Sequence, residues 1–340
     1  MKGKPRKYIS EYAINLCTAR VLMVTASQLL SGWELFDSDK EIADCCHIYI
    51  ISKMPRICFR QDTFEYKNGR VSGHLQYKVL GEVREAPFDI EFPLVDGATT
   101  LELSSYPHRE IRTYNDNREV IRYFPANVIM HTSIHRKQRK ELQHLEVLYV
   151  GQAFGDGNRS AYERLQSHNT LQKILADLQA ECPDDEVYLL MFEYVPYRIF
   201  SMINGSVKAK KSIDEDSAHF FSIQDNPLTE HQQICLAEAS LIRYFGPKYN
   251  SIYKDSFPSR SHKILAECYN LDFSALTIEI NTEELYHSLY SEHTSPKQHH
   301  ICQIDLVADE DRQSFFCLSG GEGHEIEIPG IIKGARSSKA

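Results

Sequence analysis

Hydrophobic positions along this chain keep one spacing at the start, a second over the rest of the first third, and a mixture after residue 123. Over residues 8–30, Ile9, Ala13, Leu16, Ala19, Leu22 and Met23 lie near helical spacing, which predicts a leading helix. Ile48, Ile50 and Ile51 then begin a strand. Asn68-Gly69 predicts a hairpin turn, and Val71, Gly73, Leu75, Tyr77 and Val79 alternate at period two behind it. Phe88, Ile90 and Phe92 repeat that alternation, and Leu101 and Leu103 mark a further strand. Residues 1–122 thus read as a β-rich module with a leading helix.

From residue 123 the order becomes mixed. Val128-Ile129-Met130 and Val147-Leu148-Tyr149-Val150 read as strands. Ser160-Ala161-Tyr162-Glu163 is a capping box that opens a helix, and another helix covers residues 171–178. Residues 187–192 are continuously apolar and predict a buried strand. Residues 200–228 are polar and read as an inserted loop. Thr229 with Gln232 forms a second capping box, and Gly246-Pro247 ends the helix it starts. Residues 266–340 return to strands at 276–280 and 301–306, before a Gly- and Ser-rich tail expected to fray. The expectation is an α+β chain divided near residues 122 and 265.

Composition changes this picture little. The longest apolar stretch, residues 13–30, is broken by Asn15, Thr18, Arg20, Thr25, Ser27 and Gln28. It is too polar to span a bilayer or to act as a signal peptide, so the expected location is the cytoplasm, with no membrane partner. Nine scattered cysteines without a C-x-x-C spacing read as reduced thiols. His299-His300-Ile301-Cys302 has no second ligand pair at finger spacing. Charge is uneven: residues 271–340 hold 12 Asp and Glu against 5 Lys and Arg, while the rest is nearly balanced. Such a balance argues against indiscriminate coating of nucleic acid. It suggests that the acidic region docks a basic protein partner or a second copy of the chain.

Several residues carry potential chemistry. On a helix from about 230 to 245, Ile234, Ala237, Leu241, Ile242 and Phe245 share an apolar arc, and Glu238 falls inside it. A carboxylate there needs a partner or a cation, because burying it bare is costly. Arg164 and His168 stand four apart and would face the same way on one helix. A guanidinium suits phosphate oxygens, and an imidazole can orient or deprotonate water. Tyr149 ends a strand and Gly151 follows it. Taken singly, each has a plainer reading as a helix-face or strand residue.

Together, Tyr149-Val150-Gly151, Arg164, His168, Glu238 and Asn250 occur in an order that resembles the GIY-YIG nuclease family, over roughly residues 125–252. The resemblance implies a small α/β core, residues 123–265, with a three-stranded, mainly antiparallel sheet flanked by β-rich modules. It implies a metal-dependent endonuclease acting on nucleic acid, DNA before RNA, as in restriction or phage defence. Glu238 would bind Mg²⁺ or Mn²⁺, Arg164 would hold the phosphate, Tyr149 or His168 would orient or deprotonate water, and Asn250 would order the site. The first signature strand would lie at Asn127-Val128-Ile129-Met130-His131, which lacks the family's tyrosine and glycine, with His131 at a neighbouring position. The alternative is an inactive member that serves as a nucleic-acid or protein docking scaffold in a larger assembly.

The basic connection Arg136, Lys137, Gln138, Arg139 and Lys140 would track the substrate backbone with Gly151 at the site. Replacing Arg136, Lys137, Arg139 and Lys140 with alanine is expected to weaken binding of all sequences alike. The salt dependence should flatten by about one slope unit per lost phosphate contact. Altered sequence preference at an unchanged salt slope would show that this segment reads bases instead.

Overall fold

The computed structural model describes residues 4–31, 35–132, 140–154, 160–203, 208–307, 312–319 and 325–334. The chain opens with a strand where a helix was expected. β1 (Ser10–Thr25) runs 16 residues, and only its continuation α1 (Ala26–Leu30) is helical, capped by Thr25 and Gln28. Tyr12, Ile14 and Leu16 enter one core, Leu22 and Val24 a second, and Ala13 a third. A strand buried on both faces loses its period-two alternation, and its apolar positions then imitate helical spacing.

After α2 (Asp37–Cys45) comes β2 (Ile48–Pro55). Residues 56–132 then leave the main sheet. β3 (Cys58–Phe59), β4 (Glu65–Lys67), β5 (Arg70–Val79) and β6 (Glu82–Glu91) form one small antiparallel sheet, with the Asn68-Gly69 turn between β4 and β5. β7 (Thr100–Leu103), β8 (Glu110–Tyr114) and β9 (Val120–Pro125) form another. α3 (Ala126–Thr132) follows and contains Val128-Ile129-Met130, for which the sequence predicts a strand. Ile129 and Met130 are both buried while Val128 is exposed. Two adjacent buried positions fit a helix face and break strand alternation.

β10 (His144–Gln152) returns to the main sheet, followed by α4 (Ala161–Gln166), α5 (Asn169–Glu181), β11 (Asp185–Tyr194) and β12 (Arg198–Ile203). α6 (Ile213–Asp225) and β12 occupy most of the segment expected to be a loop. The Ser212–Glu215 capping box opens α6, and only His219 and Ile223 of that helix are buried, which is why it reads as polar. α7 (Glu230–Phe245) begins at its Thr229–Gln232 capping box and ends at Gly246, as expected. α8 (Ala266–Asn270), β13 (Ala275–Asn281), β14 (Ser288–Tyr290), β15 (His299–Asp305), β16 (Cys317–Ser319), β17 (Glu325–Glu327) and β18 (Ile332–Lys333) complete the described chain. The tail expected to fray lies largely outside the described residues.

Among the described residues, nine strands form one mixed sheet in the order β14-β10-β2-β11-β1-β13-β15-β18, with β12 also on β1. β1 joins its two halves. Its first part pairs with β12 and β13, and its second part with β11, across a register shift between Thr18 and Arg20. The neighbours β10, β2 and β11 are antiparallel. The fold is α+β, dominated by this large sheet rather than by a small three-stranded one. Strands from all three expected segments share it, so residues 122 and 265 do not divide it. No described helix is long and apolar enough to cross a membrane.

The acidic C-terminal region is built into this sheet. Glu11 on β1 is fully buried, and its carboxylate receives bonds from Arg312, the Ser274 hydroxyl and the Lys7 N–H. Breaking a buried ion pair by removing one partner costs about 3–5 kcal/mol. A chain ended at Asn270 loses β13, β14, β15, β18 and Arg312, and is expected to show no cooperative thermal transition by circular dichroism. A truncated chain that melts cooperatively near the full-length Tm would make the region an appendage.

Candidate active site

β2 and β10 lie side by side although residues 56–143 separate them in the chain. Their register sets Tyr49 opposite Gly151. Directly opposed residues share a face of the sheet, so the Tyr49 ring passes over Gly151. A Cβ at position 151 would come within 2.6 Å of Tyr49 Cζ and Oη and 2.7 Å of Tyr149 Cε1. Gly151 is thus required by a close approach, beyond its role as a strand terminator. The Tyr149 ring centroid stands 6.2 Å from that of Tyr49 and 5.3 Å from that of His168.

The single helix expected for Arg164 and His168 breaks between them. α4 ends at Gln166, and His168 becomes the N-cap of α5, where Nδ1 accepts the Leu171 N–H at 3.2 Å. Imidazole is not among the usual capping groups, so the sequence hid this break. With Nδ1 an acceptor, the neutral ring carries its proton on Nε2 and donates it to Tyr49 Oη at 3.0 Å. His168 is buried with both ring nitrogens engaged. It therefore positions Tyr49 and is not free to deprotonate water, a role that the sequence had left open.

The Arg164 guanidinium lies near enough to the same Tyr49 hydroxyl to act on its ionisation. Burial pushes the Tyr49 phenol up, Tyr149 and Glu238 push it the same way, and Arg164 pulls it down. Tyr149 is also raised by burial and by Glu238, with Arg164 and its bond to Tyr49 opposing. Glu238 and Arg164, far apart in the chain, thus act on the same two hydroxyls.

α7 packs across β10 and carries the predicted arc: Ile234, Ala237, Leu241, Ile242 and Phe245 are buried, and Glu238 is half-buried among them. Burial pushes the Glu238 carboxyl up to about 7, and hydrogen bonds from the Gln152 side chain and backbone offset only part of that. No lysine or arginine is among the groups offsetting it. A carboxylate so placed fits a cation. Among the described residues no three His, Cys, Asp or Glu side chains group to hold a metal. One carboxylate suits hydrated Mg²⁺, which keeps several waters, better than a caged ion.

Asn250 closes the edge of β10. β14 pairs only with His144, Leu145 and Glu146, so among the described residues no strand neighbours the rest of β10 on that side. α7 stops at Gly246 in the left-handed region (φ 56°), and the chain turns back along the open edge. Tyr249 N–H donates to the Leu148 carbonyl at 3.1 Å. Asn250 Oδ1 accepts the Val150 N–H at 2.9 Å, and its Nδ2 donates to the Val150 carbonyl at 2.8 Å. One side chain thereby supplies the two ladder bonds of a missing strand and fixes the peptide between Tyr149 and Gly151.

Tyr49 and Gln152 were missed in the sequence. The usable signal was a tyrosine inside the isoleucine run that starts β2. The basic segment is not gathered here. Arg136, Lys137 and Arg139 lie outside the described residues. Exposed Lys140 precedes β10, whose seven steps from His144 to Gly151 span roughly 23 Å. Lys208, Lys210 and Lys211 bond through their backbones to Arg6 and Lys7, ahead of β1. His300 Nε2 bonds the Leu289 carbonyl, and Cys302 packs in the core, so that run is structural. Comparison of the chain with protein-family models, curated proteins and solved structures finds no match in any of the three.

Glu238 gives a signed pH dependence. Its pKa in the fold, about 7, lies above its ordinary 4.5. Below the lower value both folded and unfolded chains hold the proton, and there is no cost. As pH rises between the two values the unfolded chain ionises first, so stability falls, by a total on the order of 3 kcal/mol above pH 7. In metal-free buffer, Glu238→Gln is therefore expected to raise Tm at pH 8 and to leave it unchanged at pH 4. Equal shifts at both pH values would show that the carboxylate is not desolvated.

Proposed function

We propose that this chain is a GIY-YIG-type endonuclease that hydrolyses nucleic-acid phosphodiesters, DNA before RNA, with Mg²⁺ or Mn²⁺. One observation carries the reading. His47-Ile48-Tyr49 and Tyr149-Val150-Gly151 are adjacent antiparallel strands, with Arg164, His168, Glu238 and Asn250 disposed around their tyrosines. The first signature strand is then His47-Ile48-Tyr49 rather than the helical residues 127–131. Its tyrosine is present, and histidine replaces the family's glycine. The antiparallel order β10-β2-β11 supports the same reading.

In this reading Tyr49 Oη first gives up its own proton to solvent and then takes a proton from the attacking water. The bond from His168 Nε2–H and the charge of Arg164 favour the ionised form of that oxygen against burial. Arg164 also faces the phosphate, whose negative charge it offsets. Glu238 would hold the cation, which supplies Lewis-acid stabilisation of the phosphate and the leaving oxygen. Asn250 keeps the β10 edge and Gly151 in register beneath the Tyr49 ring. Work in restriction or phage defence suits such an activity.

The expected result is metal-dependent cleavage of plasmid or single-stranded DNA. Tyr49→Phe and Glu238→Gln should each lower the rate by about 10²-fold or more while leaving DNA binding largely intact. DNA binding with no cleavage by the unaltered protein, under Mg²⁺ or Mn²⁺, would favour a docking scaffold and overturn the nuclease reading.

A further inference from the structure

Several exposed large hydrophobic side chains lie on two elements that carry none of the candidate site residues. Ile199 (40%), Ile203 (68%), Ile213 (71%), Phe220 (44%) and Phe221 (57%) all lie on β12 or α6. The two elements are adjacent on β1. Ile203 and Ile199 pair with Ser10 and Ile14 of β1, so they share the sheet face of Tyr12. α6 crosses that face. Asp216 accepts from Ser10 N–H at 2.8 Å and from its hydroxyl at 3.1 Å, and Phe220 stands 6.0 Å from Tyr12. Ile213 and Phe220 lie about one helical turn to either side of Asp216, and so border Ile203.

The strand edge beside this patch is open. Among the described residues β12 pairs with β1 alone. Its sequence, Arg-Ile-Phe-Ser-Met-Ile, has one charge at its first position and no proline. It lacks the internal charges, bulges and prolines that guard a free edge from pairing.

We propose that a second copy of this chain covers this surface. The two β12 strands pair antiparallel about a two-fold axis, and the two α6 helices pack over the joint. The area suits that occupant. Five side chains of about 200 Å² each, exposed by those fractions, offer on the order of 550 Å² of apolar surface, the upper end for a monomer. A standard interface of about 800 Å² per partner, some two-thirds apolar, requires roughly 500 Å² of such surface. An antiparallel edge strand is its own complement under two-fold symmetry, so the assembly closes at two. Charge agrees. Lys208, Lys210 and Lys211 adjoin Asp214, Glu215 and Asp216 at one end of the patch, and a surface with both signs suits a copy of itself better than a uniformly charged partner. The proposal does not depend on the nuclease reading.

Light scattering and sedimentation of the full chain at micromolar concentration test it. The expected mass is twice the 39.2 kDa of the chain. Ile203→Lys and, separately, Phe221→Glu should each weaken self-association by about tenfold or more with unchanged circular dichroism. Phe221 lies on the helix, so it keeps the test open if the strand variant misfolds. A chain that stays monomeric, a dimer that survives both substitutions, or a mass that grows with concentration beyond two copies would each overturn the proposal. So would a monomer that binds lipid vesicles through the same residues.

Discussion

The candidate site depends on one close approach, the Tyr49 ring lying over the bare Cα of Gly151. The neighbouring side chains are arranged around that contact. The register of β2 on β10 sets the two residues opposite each other, and the missing Cβ lets the ring settle. Asn250 then holds the intervening edge of β10 by its own two hydrogen bonds. With the ring fixed, its hydroxyl is where His168 donates and where the charge of Arg164 acts. A side chain at residue 151 would displace the ring and undo both interactions at once.

A second constraint is electrostatic. Glu238 lies on the apolar stripe that anchors α7 to the sheet, so it cannot be moved to water without moving the helix. Its raised pKa measures what the fold gives up to keep a carboxylate there. Such an expense is expected where a site must hold charge ready for a ligand, and it contrasts with Glu11, whose burial is fully matched by Arg312, Ser274 and Lys7. The two glutamates therefore differ: Glu11 ties the chain's ends to β1, and Glu238 has no lysine or arginine among the groups offsetting its burial.

The large sheet explains how these parts are held together. β1 serves both halves, so the site's strands β2 and β11 and the C-terminal strands β13 and β15 share one hydrogen-bonded framework. The described residues between β2 and β10 are an excursion from the sheet, inserted between two adjacent strands. Their insertion lengthens the loop without disturbing the pairing, since loop-closure entropy grows slowly with length.

Local signals in the sequence determined the helix ends and the period-two strands: the capping boxes at Ser160 and Thr229, the stop at Gly246, the Asn68-Gly69 turn. Glu238 stood out as a carboxylate on an apolar arc, whereas Tyr149, Gly151, Arg164, His168 and Asn250 stood out only as members of an ordered set, since each taken singly has a plainer reading. Three things were decided only by tertiary structure. β1 is a strand because both its faces are buried, and double burial erases the alternation that would identify it. His168 is a helix cap rather than a helix-face residue, because its imidazole found the Leu171 N–H. Tyr49 belongs to the site because β2 pairs with a strand beyond residues 56–143, and strand pairing at such a separation is set by shared burial and register, which no local window of the sequence contains.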